Sequence, residues 1–403
     1  MNWRVPLFRV SAAPWADLEP ALKRVAESGY WAEGEEVEAF ERELREFTGH
    51  PHLFTTNCCT SAIAIALRAL DIKPGDIVVL PTMTCVATAA PVVALGAKVL
   101  WCDVDPYTGL MDTVRGLINP TGIPPRAVIA VDWGGDVAPI SLLAEWCRRN
   151  GAALIEDAAQ AIGTKTTGAD FRCFSFQAIK QLTTGDGGMV LARTQALADF
   201  GKRLSWFGID RRKFRTPTGE INWDSDIPNV GFKANMNNVA AALGRVHLRH
   251  LPGRLEAARA NGHFYERAFA DVPQIRVPQR HGESAYWVFT MTCEKRNALA
   301  ARLQAKGIQA GRMHARIDRY SGIPRVDERR LTGTDYFAEH VLCLPCGPWV
   351  TPDIANEIAN AVRAFYGHRF VGVGQRAAGE VARPGIVKRL SQTLRGGKPD
   401  GKA

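Results

Sequence analysis

Between Asn57 and Ala192, short apolar runs alternate with stretches of helical spacing. The runs Ile77–Leu80, Lys98–Trp101, Ala127–Val131, Ala153–Ile155 and Cys173–Phe176 are apolar at nearly every position rather than every second one. Strands of that kind are covered on both faces, whereas a half-exposed strand alternates. Thr60–Leu70 and Ser141–Asn150 repeat their apolar positions at helical intervals and supply the covering layers. The pattern predicts an α/β fold, a mainly parallel sheet between helices, and such sheets bind ligands at the carboxyl ends of their strands.

A long helical region follows from Met236 to Ala270, and Gln274–Tyr366 reads as a second, smaller α/β unit. That unit holds the strand-like run Tyr286–Met291 and a helix over Lys295–Lys306 that stops at Gly307. The expected organisation is an N-terminal arm and large domain over 1–250, a small C-terminal domain over 251–370, and a tail over 371–403. From Val371 onward Gly, Ala, Arg and Pro dominate and aromatic residues vanish, a composition that predicts disorder.

Composition changes this picture little. The 403 residues are 46% hydrophobic and 23% charged, with a net charge of +9. A net of +5 belongs to the last 33 residues, so the body carries about +4, a balance that suits an anionic small substrate. The tail lacks the interleaved aromatics of a strand-binding surface, which argues against nucleic acid as a partner. The longest apolar stretch, Ala87–Trp101, is broken by Pro91, Gly96 and Lys98 and is too short to cross a bilayer. Nine scattered cysteines with no export signal predict reduced thiols and a cytoplasmic location. Cys343 and Cys346 form a C-x-x-C, but no second ligand pair stands at zinc-site spacing, so no metal is expected.

Four features fall at strand ends. Lys180 closes the run that begins at Cys173 and leads into a Gly-rich segment. A lysine there is either solvent-facing or dry enough to lose its proton and act as a nucleophile. Asp157 closes the run from Ala153, either as a helix cap or as the partner of a bound cation. Cys58-Cys59-Thr60-Ser61 opens a helix whose free N–H groups form an anion site suited to phosphate, and Ser175 adds a hydroxyl. Thr183–Gly188 is a Gly-rich turn beside the lysine, either a simple hairpin or backbone packed close to a ligand.

In this order the residues resemble the DegT/StrS-type sugar aminotransferases, which are fold-type I pyridoxal-phosphate (PLP) enzymes. The likeness rests on Glu156–Gly163, Phe174-Ser175-Phe176, Lys180 and Gly185–Gly188, and continues through Pro74–Asp76, Pro81–Thr84, Asp103–Asp105, Met236–Asn238 and Tyr286-Trp287. It covers about Val5 to Phe365. The resemblance implies that Lys180 carries the cofactor and shuttles protons. Asp157 would hold the pyridinium nitrogen, Gln160 the phenolic oxygen, and Cys59, Thr60 and Ser175 the phosphate. It also implies a homodimer with shared active sites, in which Lys233 and Asn235 reach the neighbouring cofactor.

Three positions depart from the family's commonest pattern. Cys58-Cys59-Thr60 stands where many members have Ser-Gly-Thr, Cys85 where an aromatic stacks on the ring, and Lys233 where many have Asn. Trp133 is an alternative cover for the ring. The implied reaction moves an amino group from glutamate or glutamine to a nucleotide-linked keto-sugar. The competing readings are a keto-cyclitol acceptor, a sugar dehydratase and a non-catalytic regulator. The dehydratase branch has histidine where this chain has Lys180, and a regulator could have lost Lys180 or Asp157. The clusters Arg211-Arg212 and Arg312, His314, Arg316 are candidates for the substrate's diphosphate.

Overall fold

The computed structural model describes residues 3–113, 116–117, 122–211 and 213–368. The expected tail and Arg212 lie outside the described residues.

Two helices lead the chain, α1 (Trp15–Ser28) and α2 (Glu35–Thr48), followed by β1 (Leu53–Thr56) and α3 (Cys59–Ala69). Next come β2 (Ile77–Pro81), α4 (Val86–Ala94), β3 (Lys98–Cys102), β4 (Ala127–Val131), α5 (Ile140–Asn150) and β5 (Ala153–Asp157). The large sheet is completed by β6 (Phe171–Ser175) and β7 (Gly188–Ala192), which precede α6 (Gln195–Leu204). Its order is β1-β7-β6-β5-β4-β2-β3, parallel except that β7 runs against both neighbours.

The unbroken apolar runs explain the layering. Val78, Leu80, Ile129 and Ile155 pack with Ile63 and Ala66 of α3 and Ala89 of α4, whereas Ile77, Val79, Val128 and Leu154 pack with Leu143 of α5. Both sheet faces are therefore buried, the arrangement the sequence predicts.

Register decides what the sheet presents at its edge. Val131, Asp157 and Cys173 lie side by side on β4, β5 and β6. Ser175 faces Gly188 on β7, and Gly188 faces Thr56 on β1. The ends of four strands thus bring Thr56, Asp157 and Ser175 to one line. Gly188 is required here, because an added Cβ would lie 2.7 Å from both the Cys58 carbonyl carbon and the Thr56 hydroxyl. Gly188, the last residue of the Gly-rich segment, is thus packed on the protein's own Cys58.

The 32-residue helix α7 (Asn238–Phe269) runs on to a second sheet of β8 (Ile275–Arg276), β9 (Phe289–Cys293) and β10 (Val341–Leu344), in the order β10-β9-β8. Helices α8 (Arg296–Ala305), α9 (Thr332–His340) and α10 (Pro352–Phe365) accompany it. The expected division at 250/251 falls inside α7. The expected strand over Tyr286–Met291 begins only at Phe289, because Tyr286 takes a φ of 45° and breaks the extended chain. Its hydroxyl donates to Glu266 at 2.8 Å, which ties this turn to α7. Cys343 and Cys346 are buried in the core clusters.

The N-terminal arm hooks onto the small sheet's side of the molecule. Val5 N–H donates to Gly307, Gln309 N–H donates back to Val5, and Trp349 Nε1 donates to Pro6.

Beneath the large sheet, Arg172 of β6 is 2.8 Å from Glu156 of β5 and 3.4 Å from Asp132, which follows β4. Its Nη1 also donates to Thr164 O at 2.7 Å. All three side chains are at most 8% exposed. Burial, and then the Glu156 charge, push the Asp132 carboxyl well above the usual range. Removing the guanidinium would leave two buried carboxylates without a cation. Arg172→Met is expected to cost about 3–5 kcal/mol in urea denaturation. A loss under about 1 kcal/mol would show that the cluster is not held as an ion pair.

Candidate active site

The line of strand ends is closed by the start of α3. Asn57 N–H donates to Ala234 O at 2.7 Å, which fixes the turn, and extended Cys58 caps the helix with its sulfur accepting from Ser61 N–H at 3.4 Å. The first-turn N–H groups of Cys59 and Thr60 have no helical partner and carry the positive end of the helix dipole. Ser175 accepts from Gln177 N–H at 3.3 Å, which leaves its hydroxyl proton free to donate. The Cys59 thiol, however, points away from this cradle. It is buried and donates toward Asp157 Oδ1 at 3.9 Å, so only its backbone can serve a phosphate.

Asp157 is buried, with Oδ2 accepting from Thr88 Oγ1 at 2.7 Å and Oδ1 from Ala159 N–H at 3.1 Å. Thr88 in turn accepts from Thr84 Oγ1 at 2.7 Å. No cation forms an ion pair with Asp157 among the described residues. Burial raises its carboxyl above the usual range, against the lowering effects of Thr88, the Ala159 N–H and Lys180.

Lys180 follows β6 in a tight turn, its N–H donating to Gln177 O. Its Nζ lies 3.5 Å from the centroid of the Trp287 ring. Phe8 stacks on that indole at 4.6 Å, and its Nε1–H donates to Ile179 O at 2.9 Å. The amine thus rests on an aromatic floor clamped from two sides. Desolvation lowers Lys180 to about 8, opposed by the charges of Asp157, Cys59 and Cys85.

Gln160 is buried, its Oε1 accepting from Gly134 N–H at 2.7 Å while Nε2 faces His314 Nε2 at 3.4 Å. His314 also meets the edge of Trp133 with centroids 5.7 Å apart, and burial followed by the Lys180 charge lowers it to about 4. His314, expected at a diphosphate, therefore belongs with Gln160 and Lys180.

Its sequence neighbours line the same cleft but are engaged by other groups of the protein. Arg316 is paired with Asp318 and Asp335, and Arg312 donates to the carbonyls of Ala338 and Glu339. Arg211 is held by Glu33 at 3.2 Å and lies over Trp206. Trp133 is 0% exposed and packs against Phe337, so its faces are not open to a ring. Lys233 is exposed and donates to Asn235 Oδ1 at 2.5 Å, while Asn235 bridges Thr56 beside the α3 turn. Thr88 and Phe8 escaped the sequence reading, and Thr84 and Trp287 entered it only as part of a likeness. The one signal for the hydroxyls was the four-residue spacing of Thr84 and Thr88 across the start of α4.

A cleft of about 570 Å³ opens from His314 and is lined by Arg312, Arg316, Arg319, Tyr320 and Arg330. Two cavities of about 750 and 660 Å³ lie elsewhere, one against His50 and Thr164, the other against Asp105 and Arg276.

The lowered basicity of Lys180 has a direct readout. Acylation of the apoprotein, followed by peptide mapping across a pH series, is expected to give Lys180 a half-point near 8, as its value of about 8 requires. A half-point at the ordinary lysine value of 10.5 would overturn the desolvated-amine assignment.

The DegT/DnrJ/EryC1/StrS aminotransferase family profile matches residues 16–363. A dTDP-4-dehydro-2,3,6-trideoxy-D-glucose 4-aminotransferase from Saccharopolyspora spinosa is 30% identical over 370 residues, 87% of this chain and 95% of that protein. Among solved structures, the sugar aminotransferase CalS13 from Micromonospora echinospora superposes with a TM-score of 0.81 at 29% identity, covering 89% of this chain and 99% of its own. The aminotransferase TlmJ from Streptoalloteichus hindustanus gives 0.79 at 29% identity, with 89% and 98% covered.

Proposed function

Because the chain belongs to the DegT/DnrJ/EryC1/StrS aminotransferase family, we propose that it moves an amino group from glutamate or glutamine to a nucleotide-linked keto-deoxysugar in amino-sugar biosynthesis. It is a PLP-dependent aminotransferase. The observation that carries the reading is the pairing, at one sheet edge, of a lysine amine lowered to about 8 with a buried carboxylate that lacks a cation.

These residues fit the cofactor. A protonated ring nitrogen beside this buried acid would favour its ionised form, as the Thr88 hydroxyl and Ala159 N–H already do. Asp157 would hold that nitrogen, and the free N–H of Gln160 the phenolic oxygen. The N–H groups of Cys59 and Thr60, with the Ser175 hydroxyl, would hold the phosphate. Cys85 takes the place of the usual stacking aromatic. When bound, PLP supplies an electron sink that lets a C–H bond beside nitrogen break. Lys180 would hold the group and, once the donor's amino group has displaced it, its freed amine would carry a proton away from the amino donor's Cα. Its lowered pKa matches that duty, since a base works best near the ambient pH.

The acceptor class is supported by the relative from Saccharopolyspora spinosa, whose name specifies amination at the 4 position of a dTDP-linked sugar. It is supported also by the basic cleft at His314, where Arg319 is exposed and free of ion pairs among the described residues. We read the active unit as a cytoplasmic homodimer in which Lys233 and Asn235, beside the phosphate end, serve a shared site.

The test is direct. Borohydride treatment of the yellow protein should fix the cofactor to Lys180, and Lys180→Ala should abolish the adduct. Glutamate or glutamine should bleach the visible band of the wild type. An adduct mapped to another lysine would overturn the site, and a band that no amino acid bleaches would overturn the aminotransferase reading.

A further inference from the structure

Gln160 and His314 constrain one another in a way that fixes where a proton sits. The Gly134 backbone N–H is a donor in every protonation state, and at 2.7 Å it claims Gln160 Oε1. The end of the amide that faces His314 is therefore the NH₂ group, which only donates. Two N–H groups facing across 3.4 Å would repel, so His314 Nε2 carries a lone pair and the imidazole proton resides on Nδ1.

The surroundings support a neutral ring. Burial is the main cause that lowers His314 to about 4, and the Lys180 charge adds to it. Trp133 sets the ring's tilt, meeting it edge-on at 76°. Trp133 and Gly134 are consecutive, and Gly134 turns at a φ of 69° where an added Cβ would come within 2.6 Å of Thr290 Oγ1. A single turn after β4 thus orients both members of the pair.

We propose that His314 is a positioning residue: as a neutral acceptor it holds one N–H of Gln160 and thereby aims the other at the cofactor held by Lys180. The tautomer follows from the protein's own geometry, whereas the identity of the ligand rests on the PLP reading above. The same imidazole lines the basic cleft, so it links that cleft to Gln160.

Two measurements test this. In apoprotein labelled with ¹⁵N-histidine, with His314→Gln identifying the signal, His314 is expected to show an unprotonated Nε2 between about pH 6 and 8. An Nε2–H or imidazolium signal in that range would sink the proposal without touching the aminotransferase assignment. Separately, retention of pyridoxal phosphate by the holoenzyme is followed by fluorescence during dilution. His314→Phe, which keeps the ring but loses the acceptor, is expected to weaken retention roughly tenfold. His314→Gln places an oxygen near the Nε2 position and is expected to recover to within about threefold of wild type. In a Gln160→Ala background, His314→Phe should change nothing further, because the coupling runs through Gln160. An undiminished loss in that background would overturn the proposal. A wild type that retains no pyridoxal phosphate would instead overturn the cofactor reading and leave the tautomer result standing.

Discussion

A carboxylate sealed at the edge of a sheet without a cation is an unstable thing for a protein to keep. Asp157 is kept because several donors converge on it. Thr88 and the Ala159 N–H bond its two oxygens, Thr84 supports Thr88, and the Cys59 thiol lies over Oδ1. Ionising a buried acid costs more than such contacts return, so the group still titrates high. A ligand bearing positive charge on nitrogen would complete the set.

The amine opposite faces the same conflict with reversed sign. Lys180 loses hydration against Trp287, and the attraction of Asp157 offsets only part of that loss. Each group would ionise more easily if the other were closer. The structure keeps them apart on β5 and beyond β6, with no ion pair between them, so that neither neutralises the other. Parallel pairing of those strands, with Asp157 beside Cys173, sets the lateral spacing.

Much of this could be read from the chain. Unbroken apolar runs located five strands, because burial on both faces leaves no polar positions to blur the pattern. Strand β1, and β7 with its direction, were not read, since Leu53–Thr56 and Gly188–Ala192 carry no mark of antiparallel pairing. Asp157 stood out because charged residues seldom end such runs, and Lys180 because it stands between such a run and a Gly-rich segment, although β6 itself ends at Ser175. Thr88 and Phe8 did not, because a threonine in a helix and an aromatic in an arm are ordinary, and only three-dimensional approach gives them a role. The arginines show the converse. The cluster at 312–316 was legible as basic, but not its bonding: Arg312 and Arg316 line the cleft while bonded to carbonyls and aspartates of the protein itself, and His314 also meets Gln160.

Phe8, braced against Trp287, ties the amine's environment to the beginning of the chain. The arm that carries it is fastened by main-chain bonds to residues 307 and 309 and by Trp349 to Pro6. During synthesis those fasteners leave the ribosome some three hundred residues after Phe8 itself. The large sheet can form long before then, but the floor beneath Lys180 cannot. Completion of the pocket around Lys180 is therefore tied to completion of nearly the whole polypeptide, and a prematurely ended chain would leave that amine in water.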